Sequence, residues 1–201
     1  MTDMWHYERE ALEQGHALVC GCDEAGAGPL AGPVYAAAVI LPLGVEIEGL
    51  DDSKKLTEKK REALFPVIQE KALAWAVARV EAAEIDETDI LSARMKAMQL
   101  AMDQLSLRPD FALIDGNRDH GRSFALTTPH RCIVKGDSLS ASIAAASILA
   151  KVSRDRFMVE QDRLYPAYGF ARHKGYGTAQ HREAIARLGP CPIHRRTFLK
   201  G

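Results

Sequence analysis

Apolar residues in this chain fall into short, nearly unbroken runs set between glycine- and proline-rich turns, joined by stretches with helical spacing. Residues 17–22 are mostly apolar and bounded by turn signals, which predicts a buried strand; residues 34–41 predict its hairpin partner. Between them stand Asp23 and Glu24, then glycines at 26, 28 and 32 broken by Pro29 and Pro33. The glycines accept backbone angles that other residues avoid and let a phosphate or another backbone come close. Neighbours on a strand point to opposite faces, so only one of the two acids enters a site directly unless the chain turns at once.

Residues 4–14 predict a short helical lead-in anchored by Trp5 and Leu12. A polar turn over 51–56 leads to a helix capped by Thr57, which Pro66 is expected to kink or interrupt. Residues 73–80 predict a third strand and 81–89 an acidic connector. Leu91, Met95, Met98, Met102 and Leu105 then form one apolar stripe at helical spacing, a core-facing pattern. Residues 111–114 predict a fourth strand ending in Asp115-Gly116-Asn117, and 131–135 a fifth closing on Gly136-Asp137. Ser138 and Ser140 offer caps for a long helix over about 139–164, whose alanine-rich first half permits close packing on a sheet. The alternation predicts an α/β domain with a mixed sheet covered by helices.

At 201 residues and 47% hydrophobic content, the chain suffices for one domain. No apolar leader is visible, and the longest apolar run, 34–43, is far short of the roughly 20 residues that span a bilayer. A cytoplasmic protein away from membranes is expected. Cysteines at 20, 22, 132 and 191 lack paired zinc spacing and read as reduced structural thiols. The net charge of −1 is unevenly placed: residues 165–201 carry seven Lys or Arg against Glu183 alone, while residues 1–164 are net acidic by seven. A basic segment on an acidic body suits contact with a polyanion, although a solvated helix face would look the same.

Three strand ends therefore carry acids: Asp23 with Glu24, Asp115 and Asp137. In open α/β sheets, sites collect at strand ends. Packed carboxylates repel one another unless cations neutralise them, and oxygen-only, acid-rich sites select Mg²⁺ or Mn²⁺. Two such ions about 3.5–4 Å apart can hold an attacking water and a leaving oxygen on either side of a phosphorus. This points to a two-metal phosphodiesterase. Taken singly, Asp115 or Asp137 would read as a turn former or a helix cap. The glycine loop is a poor dinucleotide motif, since Pro29 and Pro33 oppose a helix there and a strand follows. Neither a P-loop lysine nor a Gly-x-Ser-x-Gly elbow is present, and the seven histidines lack metal-ligand spacing. His173 and His181 read as surface groups or substrate contacts.

Asp-Glu-Ala-Gly-x-Gly-Pro-Leu-Ala-Gly-Pro-Val at 23–34, Asp-Ser-Lys-Lys-Leu at 52–56, Ile-Asp-Gly-Asn at 114–117, Lys-Gly-Asp at 135–137, Ile-Ala-Ala-Ala-Ser-Ile-Leu-Ala-Lys-Val-x-Arg-Asp at 143–155 and His-Lys-Gly-Tyr at 173–176 together resemble bacterial ribonuclease HII. The resemblance spans nearly the whole chain. It implies a ribonuclease H-like fold, a five-stranded mixed sheet flanked by helices, with a catalytic core over about 1–164 and a basic C-terminal helical extension over about 165–201. The implied reaction is endonucleolytic hydrolysis of RNA in RNA/DNA hybrids and at single ribonucleotides embedded in duplex DNA, leaving 3′-hydroxyl and 5′-phosphate ends. A monomer acting on these duplexes with Mg²⁺ or Mn²⁺ is expected.

The family's metal-binding acids fall on Asp23, Glu24, Asp115 and Asp137, and its hydroxyl-sensing tyrosine on Tyr176. The Tyr176 ring would stack on a sugar while backbone amides of Gly26, Ala27 and Gly28 read the 2′-hydroxyl that separates RNA from DNA. Lys54, Lys55, Arg172 and Lys174 would contact phosphates, which position a duplex without reading sequence. The chain departs from the family's Gly-Arg-Gly pattern at Ala27. Losing a charged hydrogen bond worth about 1.5–3 kcal/mol weakens binding or catalysis roughly tenfold to a hundredfold. A module that binds hybrids without cutting them, or a metal-dependent DNA nuclease of the same fold, are the alternatives; four intact acids argue against the first.

Overall fold

The computed structural model describes residues 3–200. Five strands, β1 (Val19–Ala25), β2 (Val34–Ile40), β3 (Ala74–Val80), β4 (Phe111–Asp115) and β5 (His130–Ile133), form one sheet in the order β3-β2-β1-β4-β5. β1 pairs antiparallel with β2, and β2 with β3, whereas β4 runs parallel to β1 and β5 parallel to β4. The expected mixed sheet and opening hairpin are present. Two helices cover its faces: α4 (Ile90–Asp103) and α5 (Ala141–Leu164), with α2 (Glu58–Lys71) lying beside α5.

Residue parity assigns the faces. Cys20, Cys22, Ala36, Ala38, Ala112 and Ile114 pack with Met95, Met98 and Met102 of α4. Ala37 and Val39 pack with Ala145, Ile148 and Leu149 of α5, and Leu113 with Ile143. With both faces covered, β2 is buried at every position and reads as continuous rather than alternating hydrophobicity. The alanine-rich half of α5 comes so close that a Cβ on Gly21 would lie 2.2 Å from the Ser142 carbonyl carbon. Ser140 caps α5, accepting from the Ile143 N–H at 3.2 Å.

Several boundaries depart from expectation. β1 continues through Asp23 and Glu24, which lie inside the strand rather than after it. Pro66 leaves α2 unbroken; its missing N–H removes one bond, and burial of Leu64, Phe65 and Ile68 against α5 outweighs that loss. The acidic connector contains a further helix, α3 (Ala82–Glu87), because Ala82 and Ile85 bury. β5 stops at Ile133, since Lys135 takes a left-handed φ of 59° and a 3-10 turn (Gly136–Ser138) follows. Among the described residues no helix is long and apolar enough to cross a membrane.

The C-terminal segment, with α1 (His6–Glu13) at the chain's other end, completes the helix set through α6 (Phe170–His173) and α7 (Ala179–Leu188). It closes over the glycine loop by backbone bonds: Leu30 N–H to Gly175 O at 2.9 Å, Gly32 N–H to Ile193 O at 2.8 Å and Arg195 N–H to Leu30 O at 2.9 Å.

Candidate active site

Strand alternation decides which acids meet. Asp23 shares the face of Gly21, toward α5, and Asp115 follows Ile114, the last β4 residue paired with β1, on the same side. The turn after β5 brings Asp137 up beside them, its N–H donating to Asp115 Oδ1 at 3.3 Å. One carboxylate oxygen from each of Asp23, Asp115 and Asp137 lies within 4.8 Å of the others. Glu24, one residue on, points to the opposite face, where Arg94 of α4 binds its Oε1 at 2.6 Å. The sharp turn that would have aligned both acids comes only at Gly26, with φ 92°. Three of the four expected acids therefore converge within 4.8 Å, and Glu24 lines the same cleft with one oxygen held by an arginine.

The crowding leaves an electrostatic imprint. Burial, then the Glu24 and Asp115 charges, hold the Asp23 carboxyl well above its usual range. Burial and the Asp137 charge raise Asp115 as well. Lys54 Nζ reaches Asp137 Oδ2 at 2.9 Å; burial opposes its charge, but this bond and the surrounding acids hold the ammonium above its ordinary value. Glu24 Oε2 is buried without a hydrogen-bond partner among the described residues. Clustered carboxylate oxygens with one orphaned acceptor nearby are the donor set of a hard divalent cation, so the residues present fit one.

A cleft of about 210 Å³ joins this cluster to the glycine loop, Lys54, Lys151 and Tyr176. Arg61 holds the turn that presents Lys54 by donating to the Ser53 and Leu56 carbonyls at 2.8 and 2.6 Å. Lys151, which the motif contained but the sequence reading did not single out, pairs with Asp155 at 2.6 Å. Lys55 pairs with Asp51 at 3.0 Å outside the cleft. Arg172 is exposed, and the Lys174 ammonium folds back onto the Ala171 carbonyl. Tyr176 is 46% exposed, its ring 5.9 Å from the Arg154 guanidinium.

Sequence reading missed what holds the loop. Arg154 and Arg195 are both fully buried and, among the described residues, pair with no carboxylate. Arg195 donates to Gly26 O, Ala27 O and Gly32 O at 2.5, 2.8 and 2.9 Å. Arg154 donates to Ala31 O, Pro33 O and Lys174 O at 3.1, 3.2 and 3.0 Å. With carbonyls drawn inward, the N–H groups of Gly26, Ala27 and Gly28 are left without a backbone partner among the described residues. Gly26 is required twice over, by its positive φ and because a Cβ there would lie 1.9 Å from Arg154 Nε. A Cβ on Gly28 would meet nothing within 4 Å. Burial, with the neighbouring Arg154 charge, pushes Arg195 down to about 9.

One expectation for the C-terminal segment is corrected. His173 and His181 are buried rather than on the surface, because they pack around Phe170 with His194. Arg195 is internal, so the seven cations of the basic segment do not all face solvent.

The family profile described as Ribonuclease HII matches residues 20–200. The chain is 55% identical over 198 residues to Ribonuclease HII of Acetivibrio thermocellus, covering 98% of this chain and 76% of the relative. It is 55% identical over 195 residues to that of Geobacter metallireducens, covering 97% and 90%. The crystal structure of ribonuclease H2 from Pyrococcus horikoshii superposes with a TM-score of 0.73 at 28% identity, covering 92% of this chain and all of that one.

Proposed function

The chain belongs to the ribonuclease HII family and is a metal-dependent nuclease of RNA in RNA/DNA hybrids; from that premise we propose that it also cuts at single ribonucleotides embedded in duplex DNA, by two-metal hydrolysis. The observation that carries this reading is the convergence of Asp23, Asp115 and Asp137 within 4.8 Å, at a cleft that Asp23, Glu24 and Asp115 line together with Tyr176 and the glycine loop. Asp23, Asp115 and Asp137 would hold Mg²⁺ or Mn²⁺, with Glu24 joining through its unpartnered Oε2. Divalent ions in such a site supply a nucleophilic water at neutral pH and neutralise charge gathering on the phosphate oxygens.

The remaining residues bind and orient. The N–H groups of Gly26, Ala27 and Gly28, without backbone partners among the described residues, would meet the ribose 2′-hydroxyl, with open space at Gly28 for the sugar. Tyr176 offers its half-exposed ring as a stacking face. Lys54 neutralises Asp137 until substrate arrives and is then placed to meet a phosphate. Lys55, Arg172 and Lys174 lie farther out and would track the backbone of a duplex.

Incubating the chain and its Ala27→Arg variant with a duplex carrying one ribonucleotide, with Mg²⁺ or Mn²⁺ and an all-DNA control, tests the reading. Cleavage at the ribonucleotide is expected in both, roughly tenfold to a hundredfold faster with arginine, which restores a phosphate contact. Failure of both proteins to cut with either metal would overturn the proposal.

A further inference from the structure

We infer that His181 and His194 are positioning residues for Tyr176, acting through a one-way hydrogen-bond chain whose proton arrangement the backbone fixes at both ends. The inference rests on the proposed role of Tyr176 at the ribonucleotide. The chain begins where the Cys191 N–H donates to His194 Nδ1 at 2.9 Å. A peptide N–H can only donate, so at this shorter contact the ring nitrogen carries no proton, the Cys191 carbonyl lying farther off at 3.3 Å. A neutral His194 then holds its proton on Nε2, which lies 3.0 Å from His181 Nε2. Two ring nitrogens so close share one proton, and His181 must accept it. The His181 proton therefore sits on Nδ1, 2.9 Å from the Tyr176 carbonyl, which can only accept.

A second imidazole braces the same turn from the other side. The Gly175 N–H donates to His173 Nδ1 at 3.2 Å, which leaves His173 Nε2–H to donate to the Tyr168 carbonyl at 2.8 Å. The His173 and His181 rings stack at 4.3 Å and 18°. Between these braces Lys174 and Gly175 both take positive φ, 52° and 85°, and a Cβ at Gly175 would lie 2.4 Å from the Ala31 carbonyl oxygen. Such backbone persists only where its surroundings over-determine it. The relay thus sets the Tyr176 backbone and leaves its ring free to meet a substrate.

Every member must stay neutral, since an added proton on His181 or His194 would set N–H against N–H. Backbone hydrogen bonds at Tyr176, Gly175 and Cys191 favour a charge, but Arg182 and His173 near His181 oppose one, the Cys191 thiol lies 3.1 Å from His194 Nδ1, and Tyr168 and Phe170 pack on His194. Burial pushes His194 down to about 4 and lowers His181.

Long-range ¹H–¹⁵N spectra of the intact, histidine-labelled protein at neutral pH read the tautomers directly. Neutral rings with the proton on Nε2 of His173 and His194 and on Nδ1 of His181 are expected; an imidazolium or the opposite tautomer at His181 or His194 overturns the relay. In cleavage assays, His181→Leu should raise KM for the ribonucleotide duplex about tenfold, the worth of one lost hydrogen bond. His181→Asn, whose amide can still donate to the Tyr176 carbonyl, should recover most of that loss. Parental KM in folded His181→Leu, or equal losses in both variants, would contradict a positioning role. The spectra do not depend on turnover. A parent that fails to cut removes the proposed function, whereas wrong tautomers in a parent that cuts remove the relay alone.

Discussion

At one end of the glycine loop, Asp23, Asp115 and Asp137 bring three carboxylates within 4.8 Å, with Lys54 on Asp137. Beneath the same loop, Arg154 and Arg195 bury two guanidiniums that meet carbonyl oxygens instead of acids. Both regions gather charge of one sign, yet only one satisfies it from within. The arginines are completed by the protein, so their loop is pre-shaped before any ligand arrives. The acids are left incomplete, with raised carboxyls and an orphaned Glu24 oxygen, a need that cations from solution would meet. On the proposed function, pre-organisation belongs to the part that would recognise, and electrostatic need to the part that would react.

Breaking the acidic side should have the largest effect. Asp115→Asn removes a charge from the trio while keeping its shape, so turnover should fall by more than about a hundredfold with duplex affinity little changed. Turnover within a few-fold of the parent would sink the assignment of Asp115 as a metal ligand. Arg195→Met attacks the other side, leaving three inward carbonyls without their donors. Urea unfolding should show a loss of about 3 kcal/mol or more, against little change if the carbonyls re-pair with water.

Metal ions sharpen the contrast between the regions. Because Asp23 and Asp115 sit above their ordinary value of 3.8, their contribution to stability is full below that value and lost as pH rises through the raised ones. At neutral pH, Mg²⁺ or Mn²⁺ at 100 times its Kd should return about 2.7 kcal/mol, several degrees in Tm. The gain should shrink in Asp115→Asn and persist in a His181 variant; equal gains in both would place the ions elsewhere. The smallest effect is expected from Tyr176→Ala, which should lower the preference for ribonucleotide over all-DNA duplex about tenfold, one stacking contact's worth. An unchanged ratio would rule the ring out as the sensor.

Much of the reactive side was legible in the sequence. Asp115 and Asp137 close apolar runs beside glycines, Asp23 opens a glycine loop, and the methionine stripe buries as its spacing predicts, except that Leu91 is half-buried and Leu105 lies just past the helix end. The recognition side was not. Arg195 answers carbonyls of Gly26, Ala27 and Gly32, and Arg154 those of Ala31, Pro33 and Lys174; every residue has a carbonyl, so such pairing leaves no trace in residue types. His173 and His181 read as surface groups for the same reason, since the partners that bury them are Phe170, His194 and the backbone.

What the sequence determined by itself was local: where most strands and helices form, and that Asp23 and Glu24 point to opposite faces, because side-chain parity along a strand is a property of the backbone. What tertiary structure decided was how each of two adjacent acids meets the site. The chain turns at Gly26 rather than after Asp23, so Arg94 on α4 holds one Glu24 oxygen while the other stays unpartnered beside the trio. It also decided that arginines more than a hundred residues away would lock the loop, a choice made only when α5 and the C-terminal segment close over it. Spacing along the chain cannot encode a meeting that depends on the whole sheet being folded first.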